Sequence, residues 1–207
     1  MSTVLIQPAP LTLPSPADVY RITVDQYDQM VQLGTIGEHA RVELLGGILV
    51  RKMPKNPDHT WAVESLKSLL DAGLPAGWHA RQEQPVRIPD YDEPEPDIAI
   101  VRLTRAALRG RHPGPADLAL LAEVADSSIA DDRGIRYERS ARAGIPVYWI
   151  INLRAGRVEV YTDPDPSTGR YLHEAHFGPA EAARIELGNL PALRIPVADL
   201  LPPPPGQ

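Results

Sequence analysis

Two apolar stretches of strand length each carry one carboxylate, and no other feature constrains the fold of this chain so much. Leu118-Ala119-Leu120-Leu121-Ala122-Glu123-Val124-Ala125 reads as a buried strand interrupted by Glu123. Asp97-Ile98-Ala99-Ile100-Val101 reads as a second strand, headed by an acid directly after Pro94-Glu95-Pro96. A buried, unpaired carboxylate costs several kcal/mol, so the fold has to bring positive charge to these strands. Strand alternation places Glu123 on the face of Leu121 and Ala125, and Asp97 on the face of Ala99 and Val101. If the two strands are neighbours, the acids converge at one end of a sheet.

The segments around them alternate in type. Thr23 and Gln26 form a capping-box pattern and Gly34 closes the segment, which predicts a helix over 23–33. Val42-Glu43-Leu44-Leu45 and Ile48-Leu49-Val50 flank Gly46-Gly47, a pair suited to a tight hairpin turn. Ala62, Val63, Leu66, Leu69 and Leu70 recur at helical spacing, with Gly73 as the stop. Strands are expected at 78–88, 97–103, 118–125 and 147–153, a helix at 131–143, and a further strand pair at 158–161 and 171–175. This order predicts an α/β (α+β) class with a mixed β-sheet flanked by helices.

At 207 residues and 43% hydrophobic content the chain suits one domain, placed at 19–201. Residues 1–18 and 202–207 are proline-rich and read as tails. With no cysteine there is no disulfide, thiolate metal site or cysteine nucleophile. Neither a leader pattern nor a membrane-length apolar run is present, so the expected location is the cytoplasm. A net charge of −6 argues against a protein that coats nucleic acid over its whole surface, though it permits a local basic groove. Of the 21 cationic residues only Lys52, Lys55 and Lys67 are lysines.

Carboxylates, a backbone carbonyl and water are the ligands that Mg²⁺ and similar hard cations take. Asp97, Glu123 and the carbonyl of Val124 make such a half-shell. A buried ion pair between Glu123 and an arginine satisfies the same residues equally well. Arg133, Arg136, Arg139 and Arg142 recur every third residue and can form a basic ridge along one helix side, or a solvated face paired with Asp131, Asp132 and Glu138. Arg51, Lys52 and Lys55 offer a second cationic edge.

Ordered blocks give these residues a family context. Val42-Glu43-Leu44-Leu45-Gly46-Gly47, Asp58-His59, Glu95-Pro96-Asp97-Ile98-Ala99-Ile100-Val101, and Glu123-Val124-Ala125-Asp126-Ser127-Ser128 through Asp132-Arg133-Gly134 to Tyr148-Trp149 follow one another in a fairly specific spacing. In this pattern, over about residues 23–176, the chain resembles the Uma-type putative restriction endonucleases of the PD-(D/E)XK nuclease superfamily. The resemblance implies a restriction-endonuclease-like fold and a Mg²⁺- or Mn²⁺-dependent DNA endonuclease that leaves 5′-phosphate and 3′-hydroxyl ends. It makes Asp97 and Glu123 the metal-binding acids and Glu43 a further active-site acid. His59 matches a histidine common at that helix start, where capping or solvation is expected, and Ser128 is expected to cap the following helix. By analogy with nucleases of this size, a homodimer is expected.

The chain departs from the pattern at two positions. Arg136 stands where the family has the lysine that orients water or stabilises the phosphorane, and Val147 stands where it usually has glutamate. Arginine supplies charge but not the compact ammonium. A nuclease fold retained as a binding or assembly module, with impaired catalysis, is therefore the alternative. Metal-free hydrolysis by paired carboxylates is weaker, since only 11 aromatic residues are available to stack on a sugar.

Overall fold

The computed structural model describes residues 15–37 and 39–203. Most of both proline-rich tails, 1–14 and 204–207, lies outside the described residues, and Pro16–Asp18 forms one 3-10 turn.

Six strands form a central mixed sheet in the order β3-β4-β5-β6-β7-β8, comprising His79–Gln82, Ile98–Val101, Leu118–Ala125, Val147–Asn152, Arg157–Asp165 and Arg170–Phe177. Only β5 and β6 run parallel; the other neighbours are antiparallel. A parallel pair needs a crossover. Here it is Ile129–Asp131 (α3), a wide π-type turn at Asp132–Arg136 and Tyr137–Arg142 (α4). The expected helix 131–143 is thus interrupted, because Gly134 leaves helical geometry at φ −97°, ψ −111°. The expected strand 78–88 is also shorter, ending at Gln82. Glu83 turns away with a left-handed φ of +51°, and Pro85 and Pro89 prevent a continued ladder.

The sheet separates two apolar layers. On one face, Ala62, Val63, Leu66 and Leu70 of α2 (Pro57–Gly73) pack on Ile98, Ile100, Leu120, Ala122 and Trp149. Asn56 caps α2 by accepting the His59 N–H at 2.9 Å, and Pro57 opens its first turn. A hairpin of β9 (Ala182–Leu187) and β10 (Leu190–Pro196) closes this layer, contributing Ala183, Ile185, Leu187 and Ile195. On the other face, Val86, Ile88, Leu108 and Ile145 meet Ala99, Leu121, Ile150 and a cluster of tyrosines that includes Tyr148, Tyr161 and Tyr171. Tyr148 and Trp149 are fully buried core residues, as their strand position predicts.

The N-terminal hairpin, β1 (Val42–Leu45) and β2 (Ile48–Arg51), lies outside the main sheet. Gly46 and Gly47 both take positive φ, +58° and +77°, as a two-residue hairpin turn requires. The turn is anchored from two sides: Gly46 N–H donates to Asp92 Oδ1 at 2.6 Å and Gly47 N–H to the Tyr91 carbonyl at 2.7 Å. Helix α1 (Val24–Gln32), held by the full Thr23–Gln26 capping box, packs Val24 and Tyr27 on Leu44. These contacts fix Glu43 over the end of the sheet. Among the described residues no helix is long and apolar enough to cross a membrane.

Candidate active site

Strand register creates the centre of the site. Ile98 lies opposite Ala122 in the antiparallel β4–β5 pair, so Asp97, one residue before β4, faces Glu123. The two acids hold each other's strand: Asp97 N–H donates to Glu123 Oε2 at 3.3 Å, and Val124 N–H donates to Asp97 Oδ2 at 2.8 Å. The Ala125 carbonyl accepts from Leu153 on the β6 side. Strand alternation therefore turns the Val124 carbonyl towards Asp97, as it does the Val124 N–H.

Three further elements converge here. Arg136, at the end of the π-type turn, donates to Glu43 Oε2 at 3.1 Å, to Glu43 Oε1, and to Glu123 Oε1 at 3.4 Å. Its Nε lies 3.6 Å from Asp132, whose other oxygen accepts the Ser128 hydroxyl at 2.6 Å. Ser128 therefore positions an acid instead of capping the helix. Glu43, entirely buried, also accepts the Glu95 N–H at 3.1 Å. From α2, His59 Nε2 sits 3.1 Å from Asp97 Oδ2, and from the loop before it Lys55 Nζ reaches Asp97 Oδ1 at 2.7 Å. Asp97, Glu123, Val124, Lys55, His59 and Arg136 line one cavity of about 180 Å³.

Glu43, Asp97, Glu123, Val124 and Arg136 are thus gathered in one place. His59, expected to cap its helix or to stay solvated, lies at the site through its side chain instead. Lys55, expected only as part of a cationic edge, also reaches in. The arginine ridge does not form as a free row, because each member faces a different acid. Arg133 donates to buried Glu159 at 2.9 Å, Arg139 lies 3.7 Å from Asp92, and Arg142 donates to Glu138 at 2.8 Å.

Burial opposes the charge on Asp97, but His59 and Lys55 outweigh it and hold its carboxyl at about 2. Glu123 behaves in the opposite way. Burial raises its carboxyl well above the ordinary range against the pull of Arg136, and the charges of Asp97, Asp132 and Glu43 add to the rise. Burial likewise raises Asp132 to about 6, although Ser128 and Arg136 pull it down. Among the described residues, the four buried carboxyl groups of Glu43, Asp97, Glu123 and Asp132 pair with the permanent charges of Lys55 and Arg136 alone. That shortage of positive charge and the all-oxygen donor set of Asp97, Glu123 and the Val124 carbonyl suit a hard divalent cation. Among the described residues no three His, Cys, Asp or Glu side chains are grouped to hold a metal by themselves, so the candidate set needs the backbone carbonyl.

Beside the site, Glu93 provides a stability test. Its Oε2 is buried without a hydrogen-bond partner, 3.8 Å from Arg87, and burial pushes its carboxyl up to about 7. With the folded value above the ordinary one, the stability present in acid is lost as pH rises from about 4.5 through 7. Glu93→Gln is expected to change thermal stability little at pH 4.5. At pH 8 it should gain up to about 3 kcal/mol, from ~1.4 kcal/mol per pKa unit. Unfolding curves at the two pH values check this.

A mixed sheet with acids at adjacent central strand ends, an outlying hairpin acid and a crossover-helix cation defines a restriction-endonuclease-like protein. The chain belongs to the Uma2 family, described as putative restriction endonuclease, whose model matches residues 24–198. Its fold is similar to that of a putative nuclease belonging to DUF820 from Anabaena variabilis ATCC 29413, with a TM-score of 0.62. The two are 16% identical, and the match covers 86% of this chain and 97% of the other. The likeness is one of fold. Among curated proteins, none matches the chain.

Proposed function

We propose that the chain, folded over 19–201, is a Mg²⁺- or Mn²⁺-dependent DNA endonuclease that acts in the cytoplasm as a homodimer. The observation that carries this reading is the pairing of two strand ends through their acids, Asp97 N–H on Glu123 and Val124 N–H on Asp97, inside a cavity with more carboxylate than cationic charge. Membership of a family described as putative restriction endonuclease supports the same chemistry.

Asp97, Glu123 and the Val124 carbonyl would hold the metal, which supplies Lewis acidity and a more acidic bound water. Asp97 stays ionised at any working pH because His59 and Lys55 stabilise its charge. The Val124 N–H and the Lys55 ammonium each hold one oxygen of the Asp97 carboxylate, so its orientation is set before substrate arrives. Arg136 offsets Glu43 and Glu123 together and ties the hairpin acid, buried behind the cavity, to the strand acid that lines it. Hydrolysis breaks the P–O3′ bond and leaves a 5′-phosphate and a 3′-hydroxyl.

The decisive measurement is nicking of supercoiled plasmid by the purified chain. Nicking is expected with Mg²⁺ or Mn²⁺ and none with EDTA. The second reading, a binding or assembly module, is favoured by the saturation of Arg136 with carboxylates. It replaces the first if the folded protein neither nicks DNA nor binds either cation at millimolar concentration.

A further inference from the structure

Two cations reach the buried acids, and they differ in what they have left to give. Every nitrogen of Arg136 faces an acid: its two terminal nitrogens donate to Glu43 and Glu123, and its Nε lies 3.6 Å from Asp132. Lys55 is less committed. Its ammonium has three donors and two recorded acid partners, Asp97 Oδ1 and Glu83 Oε1, each at 2.7 Å. The side chain is 24% exposed and lines the same cavity as Asp97, Glu123 and Val124. Lys52, its neighbour on the same cavity wall, pairs with Glu95 and not with Asp97.

The residue that steadies Lys55 is itself unusual. Glu83 is one of two non-glycine residues among those described with a left-handed backbone, at φ +51°, and its N–H donates to the Asp97 carbonyl at 3.1 Å. A non-glycine residue in that region carries strain, which persists only where the surroundings enforce it. Here the turn ties Glu83 to the strand end that bears Asp97 and places its carboxylate on Lys55. The ammonium is thus held from two sides, with one N–H left for the cavity.

We propose that Lys55 is a catalytic residue of the phosphodiesterase reaction, its free N–H donating to a non-bridging oxygen of the scissile phosphate. The inference rests on the nuclease reading above and extends it to a residue outside the crossover helix. In the reaction the oxygen of water bonds to phosphorus and the P–O3′ bond breaks with its electron pair on O3′. The water gives one proton to solvent and O3′ takes one from solvent, so one water is added in total. Lys55 keeps its protons throughout and acts on the charge that accumulates on the phosphoryl oxygens.

The absence of cysteine makes a direct experiment available. In full-length protein, Lys55→Met and Lys55→Cys are compared with wild type for Mn²⁺-dependent plasmid nicking and for Mn²⁺ binding by calorimetry. Both variants are expected to nick about a hundredfold or more slowly, the usual size of a lost transition-state donor. Both should bind Mn²⁺ at least as tightly as wild type, because a competing ammonium has left Asp97. Aminoethylation of the single cysteine in K55C rebuilds an ammonium of nearly the same length, and should recover most of the rate. A folded K55M that nicks within threefold of wild type overturns the proposal. So does a rate loss matched by lost Mn²⁺ binding, or aminoethylated K55C that binds Mn²⁺ and stays inactive. A wild type that fails to nick removes the nuclease reading and this inference with it; a wild type that nicks while K55M also nicks removes only the role of Lys55.

Discussion

Asp97→Asn is expected to slow plasmid nicking by at least about a hundredfold, since even the outer partners of metal ligands typically cost 10–100-fold. The substitution is nearly isosteric, so the argument lies in the hydrogen bonds. Both carboxylate oxygens of Asp97 accept: Oδ1 from Lys55, Oδ2 from the Val124 N–H and next to His59. An amide offers one acceptor and one NH₂. Either orientation sets that NH₂ against the Lys55 ammonium or the Val124 N–H. The variant thus loses a negative charge and gains a donor clash in the same small volume. Mn²⁺ calorimetry and single-turnover nicking check both effects, with thermal unfolding as the control for folding. Cleavage within threefold of wild type would remove Asp97 from the proposed metal site.

Arg136→Met has its largest consequence on stability. Glu43 is entirely buried and Glu123 nearly so, and Arg136 is the cation both of them meet. Removing one side of a buried ion pair costs about 3–5 kcal/mol, because the remaining charge stays desolvated. For a domain of this size, each kcal/mol moves the midpoint by roughly 2–4 °C, so a fall of about 10 °C is expected in metal-free buffer. Adding Glu43→Gln to Arg136→Met should return part of the loss, since the double variant no longer strands that charge. Millimolar Mg²⁺ should raise the midpoint of Arg136→Met more than that of wild type, because the acids then have no competing guanidinium. An Arg136→Met protein as stable as wild type, and indifferent to Mg²⁺, would show that Glu43 and Glu123 are balanced from elsewhere.

The sequence exposed the acids more readily than their partners. Glu123 and Asp97 were legible because a charge inside an apolar run of period two has no cheap explanation, and Arg136 because it stood at a patterned position. Lys55 and His59 were not, although both touch Asp97. They come from a loop and a helix start 42 and 38 residues upstream, where no local periodicity records a partner across the fold. One clue was present: Lys55 is one of three lysines in a chain whose cations are otherwise arginine. The π-type turn was hidden for a different reason. Helical spacing persists on both sides of Gly134, and only the loss of helical geometry there separates α3 from α4. The β9–β10 hairpin carries a mixed signal. Ala183, Ile185 and Leu187 alternate cleanly before Gly188-Asn189, but Pro191 and Pro196 argue against a strand. Among the described strands β10 pairs with β9 alone and so tolerates them.

The contact between Glu43 and Arg136 spans 93 residues of chain, and that separation sets a clock. At synthesis rates of about 5–20 residues per second, Glu43 leaves the ribosome roughly 5–20 s before the arginine that neutralises it. During that interval the hairpin cannot close over the sheet without stranding a charge. The acid centre is therefore assembled late, after the crossover that carries Arg136 has emerged, and a nascent chain shorter than this holds the buried acids without the cation that gathers them.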